Sequence, residues 1–191
     1  VIAGLDPYLD DDRCVAVGEI GFNNITENEE RAFRKQLEIA KQRDMPVIVH
    51  LPHQDKLRGA ERTAAIVKDM GMQPERLVLD HNTEETMDVC RETGCYCGMT
   101  VYPISKLTPK RVSDVIHQWG SERMIVNGSA DWGVSDPLSL VKVVDFMRGD
   151  GHSDAVVENL LFKNPMAFYG QSERWTPDLD LAPVDPRTFQ R

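Results

Sequence analysis

The sequence has no apolar run approaching the ~18 residues needed to cross a bilayer, so no membrane-spanning helix is expected in it. It has no excess of basic residues. The net charge is -9, so bulk attraction to nucleic acid or to an anionic membrane is disfavoured and any phosphate contact must be local. The start, VIAGLDPYLDDD, lacks a basic n-region and turns acidic at once, which is not a signal peptide; it also lacks an initiator Met, as a partial chain would. The first strand-like segment is followed by no Gly-rich phosphate loop, and neither an internal repeat nor a low-complexity segment stands out. Cysteine is sparse: Cys14, Cys90, Cys95 and Cys97 offer no second Cys/His pair at zinc-finger spacing. Cys95 and Cys97 alternate as two residues on one face of a strand, so reduced structural thiols in a cytoplasmic protein are expected rather than a metal clip.

What is present is an alternation of strand-like and helix-like segments. With 191 residues, 41% of them hydrophobic, the chain can bury the core of one domain. The apolar runs are VAVGEIG (15–21), PVIVH (46–50), LVLDH (77–81), CYCGMTVY (95–102) and MIVNGSAD (124–131). Between them lie helical patterns. Thr26 and Glu29 form a capping-box signature ahead of Phe33, Leu37 and Ala40; GAERTAAIVKDM stops at Gly71; Thr83 would cap TEETMDVCRETG. Thr108-Pro109 opens a helix with Val112, Val115, Ile116 and Trp119 on one face. SDPLSLVKVVDFM and SDAVVENLLF each open on a Ser cap, and NPMAFYG ends at Gly170. Strands separated by helices predict βα units and a parallel sheet, and near-continuous apolar strands predict cover on both faces. Residues 1–171 read as one domain and 172–191, with three prolines and no period, as an irregular tail.

Ligands of α/β proteins sit at the carboxyl ends of the strands. Four of the five runs end in a metal-ligand type: Glu19, His50 with His53 just beyond, Asp80-His81, and Asp131. Carboxylates and neutral imidazoles bind Zn²⁺ and related divalent ions, which lower the pKa of water towards ~7, and a carboxylate at the rim can take the proton. The constellation therefore predicts metal-assisted hydrolysis. Each residue alone has an ordinary reading: Glu19 as an edge-strand charge, His50 as a satisfied near-core histidine, Asp80 and His81 as a hydrogen-bonded pair, Asp131 as a helix cap, His53 as a loop residue. Coincidence of position lifts the set above its parts. Asn82, Tyr102 and Trp132 follow strand ends as pocket-lining candidates, and Lys56, Arg58 and Lys106 are the only nearby cations for a phosphate rim. His117, on an amphipathic helix, and His152, in a Gly-rich turn, read as surface residues.

GEIGF, PVIVH, LDH, a strand-terminal SAD and NPMAFYG, in this order over residues 13–171, resemble the TatD-like metal-dependent hydrolases of the amidohydrolase superfamily. The resemblance implies an α/β fold, a partial (β/α)8 barrel (TIM barrel) with about five C-terminal βα units, holding divalent metal at its C-terminal mouth. By this likeness Glu19, His50, His81 and Asp131 are metal ligands, and Asp131 is also catalytic, orienting or deprotonating the attacking water. His53, Asn82 and Trp132 would face a small-molecule substrate with an ester, amide or phosphoester bond. Zn²⁺ is the expected ion, with Mg²⁺ or Mn²⁺ as alternatives; Glu19, His50 and His81 make a His₂Glu set of catalytic-zinc composition. The HLPH stretch is closer to a branch of predicted TIM-barrel hydrolases than to the nucleases, where a Glu-Thr-Asp run usually stands in place of Ser129-Ala130-Asp131. A TatD-type deoxyribonuclease or phosphodiesterase is thus an alternative, and a non-catalytic open α/β module another. The family opens on a strand carrying H-x-H or H-x-D, and no histidine precedes His50. The resemblance accordingly implies a truncated form with weakened activity and no binuclear centre.

Overall fold

The computed structural model describes residues 2–129 and 134–177. Five strands, β1 (Val17–Gly21), β2 (Val47–His50), β3 (Leu77–Asp80), β4 (Tyr96–Val101) and β5 (Met124–Gly128), form one parallel sheet in the order β1-β2-β3-β4-β5. Sequential order is that of a barrel wall, whereas a flavodoxin-like open sheet reverses direction at its first strand. This argues against the open-module alternative. The register pairs His50 with Asp80, Leu79 with Cys97 and Thr100 with Asn127, so β4 and β5 run past the carboxyl ends of β2 and β3.

The α-helices are α1 (Asp6–Leu9), α2 (Glu27–Gln42), α3 (Lys56–Asp69), α4 (Met87–Glu92), α5 (Pro109–Trp119), α6 (Ser139–Gly149), α7 (Asp154–Glu158) and α8 (Asn164–Tyr169). A π-helical turn, Asn159–Lys163, joins α7 to α8. The capping box of α2 forms as expected, with the Thr26 hydroxyl accepting from the Glu29 amide and the Glu29 carboxylate accepting from the Thr26 amide. Thr108 and Ser153 likewise cap α5 and α7. Two expected helix caps do not form. Thr83 does not cap α4: the Thr86 hydroxyl accepts from the Thr83 amide at 3.1 Å and donates to Asn82 Oδ1 at 2.9 Å, so residues 83–86 form a turn and the helix begins at Met87. Ser135 does not cap α6 either. Asp136 accepts the Leu138 amide in a preceding turn, and α6 opens at Ser139.

Strand parity divides the sheet into two faces. Val47, Val49, Leu77, Leu79, Cys97, Met99, Met124 and Val126 point to the helices and share one core with Phe33, Leu37, Ala40, Ile66, Val112 and Val143. Ile48, Val78, Tyr96 and Ile125 occupy the opposite face, where Phe168 and Tyr169 of α8 pack on them; Phe168 is fully buried and meets the Tyr96 ring edge-on at 5.4 Å. The Asn164 amide holds α8 there by donating to the carbonyls of Ser121 and Met124 at 2.8 and 2.7 Å. Cys90, Cys95 and Cys97 are buried free thiols; burial pushes Cys95 up to about 11 and Cys97 up to about 12, so they are neutral. Among the described residues no helix is long and apolar enough to cross a membrane.

Candidate metal centre at the strand ends

The parity that sends Ile48, Val78, Tyr96 and Ile125 to the inner face also sends His50, Asp80, Thr100 and Asn127 there, two or four residues further along each strand. These polar residues close the apolar layer at its carboxyl edge. Glu19 comes to the same place from the edge strand β1, whose register against β2 is irregular between Val17 and Ile20. His81, one residue past β3, has φ +67°, and this left-handed step turns its ring back over the inner face.

The result is a compact cluster. Glu19 Oε1 lies 3.0 Å from His81 Nε2, and Glu19 Oε2 lies 3.6 Å from His50 Nδ1. The two imidazoles meet edge-to-face with centroids 4.7 Å apart. One ligand atom from each of Glu19, His50 and His81 falls within 4.8 Å of the others. His50 and His81 hold the Glu19 carboxyl well below the usual carboxylate range, so it is anionic.

His81 is held from behind by a buried network. Its Nδ1 lies 2.6 Å from Thr100 Oγ1, and the Thr100 hydroxyl donates to Asp80 Oδ1 at 3.3 Å. With that proton given to Asp80, Thr100 would accept from Nδ1–H of His81, the tautomer that presents the Nε2 lone pair to a metal ion held with Glu19 and His50. Asp80 in turn accepts the His81 amide at 2.7 Å and the Asn127 amide at 3.1 Å on both oxygens. Gly98 lies directly opposite: a Cβ there would sit 2.3 Å from Asp80 Oδ1.

Two lysines flank the cluster. Lys106 Nζ stands 3.0 and 3.1 Å from the two ring nitrogens of His81, nearly equidistant from both. Lys56 donates to the His81 carbonyl at 2.7 Å; burial, then the charge of Lys106, push its ammonium down to about 8.

Of the residues singled out in the sequence, the structure thus brings Glu19, His50 and His81 together. Asp131 and Trp132 lie outside the described residues. His53 stands at the surface beside His50, with ring centroids 6.5 Å apart, and partial desolvation of its ring, followed by the charges of Lys106 and Lys56, lowers its pKa. Asn82 is buried, its amide donating to the Leu79 and Gly98 carbonyls and accepting from Thr86, so its side chain is engaged in the turn after β3. Thr100 and Asn127 escaped sequence reasoning; their only signal is a polar residue of inward parity near a strand end. The donor chemistry, two imidazoles and one carboxylate, fits a divalent metal ion.

Comparison with known proteins agrees with this geometry. An uncharacterised metal-dependent hydrolase of Methanocaldococcus jannaschii is 29% identical over 171 residues, covering 88% of this chain and 66% of that protein. The crystal structure of a TatD-like protein from Archaeoglobus fulgidus superposes with a TM-score of 0.69 at 27% identity, over 87% of this chain and 64% of that one. A phosphotriesterase homology protein of Escherichia coli shares the fold, with a TM-score of 0.60 at 19% identity over 81% of this chain and 57% of that one. The chain therefore spans just under two thirds of the first two relatives. A family model described as TatD-related DNase matches residues 1–130, more than half of the 191, and that stretch holds every side chain of the cluster. By that match, this chain belongs to the TatD-related DNase family.

Proposed function

We propose that this chain carries the strand-end metal site of a divalent-metal-dependent hydrolase, with residues 1–171 forming the barrel-type domain. The carrying observation is the convergence of Glu19, His50 and His81 within 4.8 Å on the inner face. Zn²⁺ is the ion that this donor set suits best, and Asp131 is the further ligand assigned by its place at the end of the fifth apolar run. Bound there, the ion supplies Lewis acidity and lowers the pKa of water into the neutral range. The chain's own residues do the rest. Thr100 and Asp80 fix the His81 tautomer and ring; Asp131 accepts the proton of the attacking water; His53, exposed beside His50, contacts the substrate. The reading places the protein in the cytoplasm, in keeping with its free thiols.

Among ester, amide and phosphoester bonds, the two ammonium groups of Lys56 and Lys106 against His81 favour a phosphoester, whose charge they would offset. The test uses the purified chain. Equilibrium dialysis with Zn²⁺ should give a tight site that Glu19→Gln and His50→Ala each weaken at least tenfold. Hydrolysis of a bis-aryl phosphate should fall at least a hundredfold in Asp131→Asn. Zn²⁺ affinity indifferent to Glu19→Gln and His50→Ala refutes the metal site, and an undiminished rate in Asp131→Asn refutes the proton acceptor.

A further inference from the structure

A second group of metal-ligand side chains lies on the other side of the molecule, where α5 meets the end of α6. His117 Nε2 is 3.0 Å from Asp150 Oδ2, and the imidazoles of His117 and His152 stack with centroids 4.0 Å apart at 28°. The buried Ser113 hydroxyl donates to Asp150 Oδ2 at 2.6 Å and lies 2.8 Å from His152 Nε2. One ligand atom from each of His117, Asp150 and His152 falls within 4.8 Å of the others. Strand-to-helix connections put the last turns of α5 and α6 at the amino edge of the sheet, so this group is at the opposite end from Glu19, His50 and His81.

Local structure builds the cluster deliberately. Ser113 and His117 are four residues apart on α5 and share one face. Asp150 ends α6, and Gly151 follows with φ +91°. The Gly151 amide donates to the Arg148 carbonyl at 3.3 Å and the His152 amide to the Met147 carbonyl at 3.0 Å. This is a Schellman turn, which glycine permits at its left-handed position, and it folds His152 back onto α5. The structure thus brings together ligands that stand more than thirty residues apart in the sequence.

We propose that His117, Asp150 and His152 form a second site for a divalent transition-metal ion, which clamps α5 to the end of α6. Tetrahedral bonds of about 2.0–2.2 Å put ligand atoms about 3.3 Å apart. The His117–Asp150 pair is already at 3.0 Å, and both side chains are roughly half exposed, free to close the remaining separation by rotation. Two imidazoles select Zn²⁺, Ni²⁺, Co²⁺ or Cu²⁺ over Mg²⁺ and Ca²⁺, and the carboxyl ends of two helices favour a cation. Ser113 steers Asp150 and His152, and water completes the coordination.

The test is calorimetric titration of the metal-free His50→Ala chain with Zn²⁺, a parent in which the strand-end cluster is broken. The proposal expects one ion per chain, with affinity lowered at least tenfold by His117→Ala and by Asp150→Asn. Because both positions are exposed, these variants should keep the metal-free melting temperature; His117→Gln, which retains a hydrogen-bonding side chain, serves as the second variant and should lose affinity equally. Substituted Co²⁺ should show d–d bands without a thiolate charge-transfer band. Binding unchanged in all three variants, no binding in the parent, or a thiolate band would each overturn the proposal.

Discussion

Gly98→Ala tests the network behind His81 with a single methyl group. The added Cβ would stand 2.3 Å from Asp80 Oδ1, 2.8 Å from its Cγ and 3.0 Å from Val78 Cγ1. Ordinary contact requires about 3.4 Å, so the carboxylate must retreat by about 1 Å or the strands must part. Asp80 is 6% exposed and has no open side to move into. A shift of that size stretches its bonds from the His81 amide (2.7 Å) and Asn127 (3.1 Å) towards the limit of useful geometry. Losing one bond to a buried charge costs about 1.5–3 kcal/mol, and overpacking adds about 1 kcal/mol, giving about 2–4 kcal/mol in all. In urea, at a slope of about 2 kcal/mol/M, the midpoint should drop by about 1–2 M with the slope unchanged. The decisive arm is a double-mutant cycle. In an Asp80→Ala background the carboxylate is gone, and Gly98→Ala should cost less than half as much. A midpoint that hardly moves, or penalties that simply add, would show that Gly98 is not there to admit Asp80.

Thr100→Val keeps the shape of a 2% exposed side chain but removes the hydroxyl between His81 and Asp80; we expect a loss of about 1–3 kcal/mol by denaturation and about 10–100-fold weaker Zn²⁺ binding by dialysis. Phe33→Ala empties a fully buried position that meets Phe22 edge-on at 5.7 Å, and should cost about 3–5 kcal/mol in the same assay. Glu30 joins α2 to α3 by accepting from Arg34 and Arg62, which lower its pKa below the ordinary 4.5. A depressed folded pKa gives stability that is present above the unfolded value and lost as pH falls through the folded one. Acid titration of the melting temperature should therefore be shallower below about pH 4.5 in Glu30→Gln, which at neutral pH should cost only about 0.5–1 kcal/mol because the arginines are partly solvated. Parallel acid profiles would remove Glu30 from the account.

The residues of the strand-end cluster were legible because of where they break a pattern. An apolar strand buried on both faces has no reason to end in Glu19, His50 or His81 unless something there holds charge, so position alone marked them. The five strands and most helix starts were legible from the same periodicity and from side-chain caps at Thr26, Thr108 and Ser153. The misplaced starts of α4 and α6 show what caps cannot reveal. Thr83 and Ser135 have the right chemistry, but Thr86 and Asp136 spend the available amides in a turn first.

The supporting network was hidden for a different reason. Asp80 was visible as a neighbour of His81, yet its partners come from β4 and β5, and only the register places Asn127 and Gly98 against it. Nothing local distinguishes Thr100 or Asn127 from other polar residues in strands. The same holds for His117 and His152, which each read as surface residues; the left-handed step at Gly151 joins them, and its consequence depends on which helix lies alongside. A polar residue that interrupts an apolar run announces itself within its own segment. A residue that serves another segment is found only once strand order and register are known, and in this chain that second class includes Thr100 and Asn127, which hold the first in place.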